Sequence, residues 1–350
     1  MKKELLIASA LVGSLGLAGV AEAASVSFAG NVRNGVTGDD TDSSSGGTHS
    51  SDQKASLTFS VEETTDAGTK ISTGFNVFDE GADDAGNPSG LTLTFTDGSS
   101  LALVEAGNAA TGRIATVPGA SGEQGIAGVT SSANSAPTAI TYGSTSDNVG
   151  FTYTSAADAL GVEGLTFGVS AAFGDDPDGS ISSTAEQSYS AGITYVTTAG
   201  DTTVTIGGGF INATDSNPNT INDKSDVVMA SIAAVTGDLT VGAGFGSGSY
   251  VDGDTTEVDS MSITTVGAKY VSGDITFAVG ASDAEAKDGA EGANGTNTDS
   301  LEKVSASVDY VVASGVTATV GYTDVSAVDE NVSKTSFSGS SWYIGANISF

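Results

Sequence analysis

The chain has 350 residues, with 43 acidic against 11 basic side chains, 48 glycines, no cysteine and a formal net charge of −32. That charge argues against nucleic acid as a partner and against docking on an anionic membrane through a basic patch. Only 38% of the residues are hydrophobic, as in disordered chains, but they alternate regularly with polar ones, and this order excludes intrinsic disorder.

The N-terminus has the pattern of a secretory signal. Lys2 and Lys3 precede an apolar run from Leu5 to Val20, and the small-residue site Ala21-Glu22-Ala23 follows. The run is too short for a membrane helix and is flanked as a signal is. We predict cleavage after Ala23, which leaves residues 24–350 as one unit. The sequence contains no second long apolar run, so the mature chain is periplasmic, secreted or an outer-membrane barrel.

Period-two alternation predicts strands along the mature chain. The first is predicted at Ser25–Gly35, a polar loop at Asp39–Ser51, and further strands at Lys54–Val61 and Lys70–Phe78. A hairpin follows around the turn signal Asp97-Gly98. The alternation stops between residues 106 and 147 and then resumes as regular hairpins to the C-terminus. We count sixteen strands.

Connection lengths indicate how these strands are arranged. Tight Gly/Asp turns alternate with long polar loops, which include Asp175–Glu186, Thr214–Lys224, Asp283–Ser300 and Val325–Ser338. Short turns at one end and long loops at the other are typical of membrane barrels. A β-sandwich does not sort its loops in this way, and a β-helix repeats a fixed coil length. The predicted fold is therefore all-β: a transmembrane, antiparallel, up-and-down β-barrel.

The last strand supports this fold. In the segment Ser338–Phe350, one parity holds the apolar residues Trp342, Ile344, Ala346, Ile348 and Phe350. A free apolar strand edge is a liability for a soluble protein, whereas a closed barrel has no edge. We expect this strand to pair with the first strand, with Phe350 at the point of closure.

The chain resembles the general-diffusion porins of Gram-negative outer membranes. The resemblance lies in the signal ending Ala21-Glu22-Ala23, the first strand from Ser25 with Arg33 on its inner face, the single long third loop, the segment Asp147–Tyr153, and the end from Trp342 to Phe350. It implies a homotrimer of sixteen-stranded barrels with the third loop folded into the lumen. The acidic-aromatic-glycine segment usual in that loop is absent from this sequence.

Candidate pore residues follow from the parity. If the apolar parity faces lipid, Arg33, Lys54 and Lys70 point inward on three consecutive strands. The resemblance implies that such basic wall residues oppose acidic residues of the inserted loop. The charged candidates in that loop are Glu105, Arg113, Glu123 and Asp147. The alternative is that the three cations are lumen or rim charges scattered by chance.

Aromatic side chains near strand ends have lipid-facing parity and predict an interfacial girdle. They are Tyr153, Tyr195, Tyr270, Tyr310, Tyr322 and Trp342. Asp-rich loops begin at Asp39, Asp175 and Asp252, but none has the spacing of a calcium loop. His49 is the only histidine, so neither a histidine-based metal site nor a Ser–His pair with further histidines can be assembled. We predict neither an enzyme nor a cofactor or metal site.

The predicted function is a passive channel for small hydrophilic solutes and ions, with a cation preference set by the net negative charge. Its predicted partners are outer-membrane lipid, lipopolysaccharide and further copies of the chain as a homotrimer, without nucleic acid. One alternative is a channel selective for a particular sugar or anion. Another, from a different class, is a secreted or surface-layer adhesin.

Overall fold

The computed structural model describes residues 24–41, 48–79, 88–103, 108–120, 150–173, 187–214, 224–251, 258–287, 298–329 and 335–350. The predicted signal, residues 1–23, lies outside them. Within these ranges the chain is β-structure joined by turns, with two 3-10 turns at Thr111–Arg113 and Ala159–Gly161. No helix in the described ranges is long and apolar enough to cross a membrane.

Sixteen strands account for most of the described residues. In chain order they are β1 Ser25–Thr41, β2 Thr48–Thr64, β3 Lys70–Asp79, β4 Pro88–Thr94, β5 Ser100–Leu103, β6 Gly150–Thr154, β7 Leu165–Phe173, β8 Gln187–Ala199, β9 Thr202–Thr214, β10 Lys224–Thr236, β11 Leu239–Val251, β12 Val258–Ser272, β13 Ile275–Lys287, β14 Thr298–Ala313, β15 Val316–Asp329 and β16 Thr335–Ser349.

The sheet closes on itself. Each strand pairs antiparallel with its neighbours in sequence, and β1 pairs with β16. Phe350 extends this seam, because its N–H donates to the Gly30 carbonyl and its own carbonyl accepts from the Gly30 N–H, both at 3.0 Å. The predicted closed antiparallel barrel of sixteen strands is confirmed.

Side chains alternate between the two faces of this barrel. Large apolar residues on the outer face are exposed, as in Phe28 at 46%, Ile193 at 49% and Ile344 at 55%. The opposite parity carries mainly Gly, Ser, Thr and Ala, for example Ser188, Ser190 and Gly192 on β8. An apolar outside and a polar inside are what a strand between lipid and a water-filled lumen requires.

The two ends of the barrel differ. At one end β8–β9, β10–β11, β12–β13 and β14–β15 are joined by two-residue turns, in which the glycines have positive φ, such as 56° at Gly237 and 58° at Gly273. Such turns need a residue that tolerates this conformation. At the other end the connections are longer, and residues 104–149 separate β5 from β6.

A hydrogen-bonded carboxylate fixes the turn between β4 and β5. Oδ1 of Asp97 accepts the Ser99 hydroxyl at 2.7 Å and the Ser99 backbone N–H at 2.9 Å. The hydroxyl, and then the N–H, stabilise the charged form and hold the pKa of this carboxyl below its usual value of 3.8. The carboxylate of Asp97 thus binds both polar groups of Ser99 within the turn.

The first two strands are longer than predicted. The sequence predicted a strand ending at Gly35 and a loop from Asp39 to Ser51, whereas β1 reaches Thr41 and β2 begins at Thr48. These strand limits were wrong because the backbone ladder continues past the apolar residues, with Thr37 opposite Ser50 and Gly38 opposite His49. A polar strand is stable there because its neighbours satisfy its backbone groups.

Candidate functional site

The candidate site is the lumen, and part of the long third connection lies against its wall. Residues 108–120 are described, and they contact inner-parity residues of consecutive strands from β7 onward. The segment begins at Asn108, whose Oδ1 accepts the backbone N–H of Ala110 at 2.9 Å. Its first turn, Thr111–Arg113, contacts β7, β8 and β9.

Glycines on the inner face make room for this segment. From β7 to β13 these glycines contact successive residues of the segment. Gly168 lies against Ala109, Gly209 against Ala110, Gly207 against Ile114 and Ala115, Gly242 and Gly267 against Pro118, and Gly280 against Gly119. A Cβ at Gly207 would lie 2.5 Å from both Ala115 N and Ile114 Cα. Real Cβ contacts are not this short, so any other residue would displace the backbone of the segment. We call this row of glycines the glycine track.

Hydroxyl groups of the same wall anchor the segment. The N–H of Ala109 donates to Ser170 Oγ at 3.2 Å, and the N–H of Ala115 donates to Ser231 Oγ at 2.5 Å. Thr194 Oγ1 donates to the carbonyl of Arg113 at 2.5 Å. Backbone groups that a lumen loop would otherwise leave to water are thus bound by the barrel.

Of the four charged residues predicted in the third loop, the structure places one. Arg113 is half-buried on the segment, and its Nη1 donates to Thr166 Oγ1 of β7 at 3.3 Å. Glu105, Glu123 and Asp147 lie outside the described residues. Their part in the constriction therefore stays a prediction.

The wall formed by β16, β1 and β2 contains a charged pair. Nε of Arg33 lies 2.6 Å from Oδ2 of Asp52, and Nη2 of Arg33 donates to Oδ1 at 3.0 Å. Both side chains are 11% exposed, so this ion pair is largely shielded from water. Nε and Oδ2 are close but not aligned as a hydrogen bond, so the single hydrogen bond of the pair is the one from Nη2 to Oδ1.

The structure brings Arg33 and Lys54 together and separates Lys70 from them. Lys54 is exposed and lies directly opposite Arg33 in the β1–β2 register. Lys70 lies opposite Thr64 at the tight-turn end, where its Nζ is 2.9 Å from Glu62 Oε1. Thr64 comes ten positions after Lys54 on β2, which corresponds to about 33 Å of extended strand.

Sequence reasoning missed Tyr343 and Asp52. Tyr343 is fully buried on the inner face, with its ring over Gly35 and its hydroxyl over Gly345. Within the described part of the chain this hydroxyl has no hydrogen-bond partner. Inner parity could be read from the alternation, but the sequence alone does not show that two glycines admit the ring. Asp52 was missed because its position was predicted to be close to the loop.

The predicted girdle residues all lie on the outer face. Tyr153, Tyr195, Tyr270 and Tyr310 are near the tight-turn end, where Tyr195 lies opposite Leu165, Tyr270 opposite Leu239 and Tyr310 opposite Ile275. Tyr322 and Trp342 lie opposite each other nearer the middle of β15 and β16. The Trp342 ring also contacts the imidazole of His49, with centroids 5.7 Å apart.

No metal-binding group was found in the part of the chain described. There, no three His, Cys, Asp or Glu side chains lie close enough to hold an ion. Most of the Asp-rich loops, including the stretches after Asp175 and Asp252, are outside the described residues.

Comparisons with known proteins agree with this architecture. Residues 8–330 match the family model for the Gram-negative porin. The trimer form of in-vitro folded OmpT, an outer membrane protein of Vibrio cholerae, has a TM-score of 0.62 at 15% identity, covering 94% of this chain and 100% of that one. The anion-selective porin from Comamonas acidovorans has a TM-score of 0.62 at 10% identity, with coverage of 94% and 100%.

A third solved structure is similar to a slightly lower degree. OmpF of Salmonella typhi, in complex with daunomycin, has a TM-score of 0.57 at 14% identity and coverage of 93% and 98%. No curated protein sequence matched the chain. At these identities the structural likenesses establish the fold, and the match to the family model is independent of them.

Proposed function

The chain belongs to the Gram-negative porin family, and from that premise we propose that it is a passive outer-membrane channel for small hydrophilic solutes and ions. One observation carries the proposal: a closed barrel is apolar outside and lined inside by Gly, Ser and Thr, with a backbone segment laid across its inner wall. A lumen of this kind needs no bond-making chemistry, because the width and charge along it decide which solutes pass.

We propose that residues 108–120 belong to the constriction. β2 and β10 are eight strands apart in the sixteen-strand ring, so the Arg33–Lys54 side and the wall contacted by the segment face each other across the lumen. The proposed electrostatics follow the family resemblance, with basic wall residues opposing acidic residues of the loop. Glu105, Glu123 and Asp147 are the proposed acids, and Arg113 is the loop cation. We propose that Lys70 is a charge at the channel mouth on the tight-turn side, because it lies at that end of the barrel.

A cation preference is the finer part of this proposal. The net charge of −32 supports it. Charges of both signs occupy the inner parity of the described strands. The cations there are Arg33, Lys54, Lys70, Lys269 and Lys303, with Arg113 on the segment, and the acids include Asp39, Asp52, Glu62, Asp259, Asp299, Asp309 and Asp329. We propose that acidic residues of the loops and channel mouths cause the cation preference, because charges there attract cations before the cations reach the inner wall.

We further propose removal of residues 1–23, insertion among outer-membrane lipid and lipopolysaccharide, and assembly as a homotrimer. The family and the fold support the membrane and the assembly, and the signal pattern supports the cleavage. A channel selective for one sugar or anion is the second candidate. The adhesin alternative gains no support from a closed barrel.

Planar-bilayer recording of the purified trimer tests the function. We expect stable conductance steps. In a KCl gradient we expect a reversal potential with the sign of the K⁺ equilibrium potential. Absence of conductance would overturn the channel proposal. A reversal potential with the sign of Cl⁻ would overturn the cation preference alone.

A further inference from the structure

The structure contains an apolar cavity inside the channel, between residues 108–120 and the wall. Its volume is about 420 Å³, within the range of about 300–1,000 Å³ that holds small-molecule ligands. Ile114 and Val117 of the segment form one side, and Val227, Met229 and Ile263 form the other. None of the described residues that line it is charged.

The sequence of β11 explains why there is space here. Its inner face carries glycine at 242, 244, 246 and 248. In the register, Gly246 lies between Met229 of β10 and Ile263 of β12. The missing side chain leaves a trough flanked by two apolar side chains, and the segment covers part of it.

The apolar character extends beyond the cavity. Ile263 packs against a cluster of buried inner-face residues formed by Ala284, Leu301, Val325 and Ala327. Ile263 is opposite Ala284, Ala284 is opposite Leu301, and Leu301 is opposite Ala327, so the row runs directly across four strands. The interior of a water-filled barrel is ordinarily polar, so this row is a local departure that adjoins the cavity.

Hydroxyl groups are part of the lining. Thr111 and Thr116 are exposed and Thr265 is half-buried, whereas Ser231 is buried and its hydroxyl already accepts the N–H of Ala115. A solute here meets an apolar interior and a polar rim that opens on water. The site therefore suits a molecule with one uncharged hydrocarbon group and a polar remainder that stays in the lumen.

We propose that this cavity is a binding subsite for the hydrocarbon side group of a small amphipathic solute, such as a branched or aromatic group of a few carbons. This inference rests on the proposed channel function and adds a substrate class to it. Solutes with such a group cross by way of a saturable site, whereas purely hydrophilic solutes of similar size diffuse past it. Binding must stay weak enough for release, as in any conducting pore.

Amino acids are suitable probes because leucine, phenylalanine and serine share one zwitterionic group and differ only in the side chain. Their initial uptake is measured in proteoliposomes containing the purified full-length channel, with protein-free liposomes for background. We expect leucine and phenylalanine uptake to saturate, phenylalanine to compete with leucine, and serine uptake to rise linearly with concentration.

Two methionines provide a matched pair of variants. Met229 lines the cavity, and Met261 is on the inner face of β12, two residues from Ile263, outside the lining. Met229→Gln keeps the shape but places an amide against the ligand, and should raise the half-saturating leucine concentration at least about five-fold, because an apolar ligand leaves that amide unpaired. Met261→Gln should leave it unchanged. Ile263→Thr, across the cavity from the segment, should act like Met229→Gln.

The outcomes separate the two proposals. Linear leucine uptake parallel to that of serine would overturn the subsite and leave the channel function intact. Equal effects of Met229→Gln and Met261→Gln would also overturn the subsite, since they would reflect general lumen polarity. Absence of serine uptake would overturn the channel function and the subsite with it.

Discussion

Two opposite walls of this barrel use glycine in different ways. On the β16–β1–β2 side, Gly35 and Gly345 admit one large side chain, Tyr343, beside the Arg33–Asp52 pair. On the β7–β13 side, glycines admit the backbone of residues 108–120. A side chain is fixed by its own strand, whereas a loop is held only by its contacts. Substitutions in the first wall should therefore lower the stability of the barrel, and substitutions in the second should change the shape of the pore.

The largest effect is expected from Tyr343→Ala. Removal of a fully buried aromatic ring leaves a cavity over two glycines and should cost about 3–5 kcal/mol in the free energy of unfolding. Urea unfolding in lipid vesicles measures it. Tyr322→Ala is the control, because Tyr322 is on the adjacent strand but 48% exposed on the outer face. Equal losses in the two variants would contradict the assignment of Tyr343 to a packed inner wall.

Breaking the Arg33–Asp52 pair should be the next largest effect. Asp52→Asn leaves the shielded guanidinium without its counter-charge, and we expect a loss of about 3 kcal/mol in unfolding free energy. The double variant Arg33→Gln/Asp52→Asn should recover part of this loss. Glu62→Gln, which breaks the exposed pair with Lys70, should cost less than about 1 kcal/mol. If it cost as much as Asp52→Asn, the shielding of the first pair would be refuted.

On the opposite wall, one added methyl group should move the segment. Gly207→Ala places a Cβ against Ala115 and Ile114, and such overpacking costs about 1–3 kcal/mol. Single-channel conductance should change because the segment shifts. Gly208→Ala, on the same strand but the outer face, meets its nearest atom at 3.7 Å and should leave conductance unchanged. If the two variants had the same conductance, the role of the glycine track in shaping the pore would be contradicted.

Charge removal should have the smallest effect on stability and act on selectivity. Lys54→Gln should shift the reversal potential toward cations, more than Lys70→Gln does, because Lys70 is paired with Glu62. Exposed lysine changes of this kind stay within about 0.5 kcal/mol in unfolding free energy. The shift should fade in 1 M salt, where the screening length is about 3 Å. A larger shift from Lys70→Gln would place the selective region at the tight-turn mouth.

The barrel was predictable because its signals are local. Alternation fixed the lipid-facing parity of residues such as Ile344, and turn glycines such as Gly237 and Gly273 marked the short connections. The far ends of β1 and β2 were not predictable, since their pairing is satisfied by the neighbouring strand rather than by an apolar pattern of their own.

The lumen was predictable only in part because it depends on register and on which residues meet across it. The inward parity of Arg33 could be read from the sequence, but its partner Asp52 is set by the β1–β2 register. The sequence does not distinguish the inner glycines from the other glycines of the chain, because their role depends on their contact with the loop. Lys70 shares the inward parity of Lys54 and is nevertheless separated from it along β2, because parity does not give position along a strand.

A designed disulfide tests most directly whether residues 108–120 lie on the glycine track. The chain has no cysteine, and a Cβ at Gly168 would be 3.3 Å from Ala109 Cβ, close to the spacing of about 3.5–4.5 Å in disulfides. In Ala109→Cys/Gly168→Cys we expect loss of both free thiols on mild oxidation, with conductance equal in the oxidised and reduced forms. The control Ala109→Cys/Gly280→Cys should keep its thiols, because Gly280 contacts the other end of the segment. Free thiols in the first variant, or a crosslink in the control, would contradict this placement.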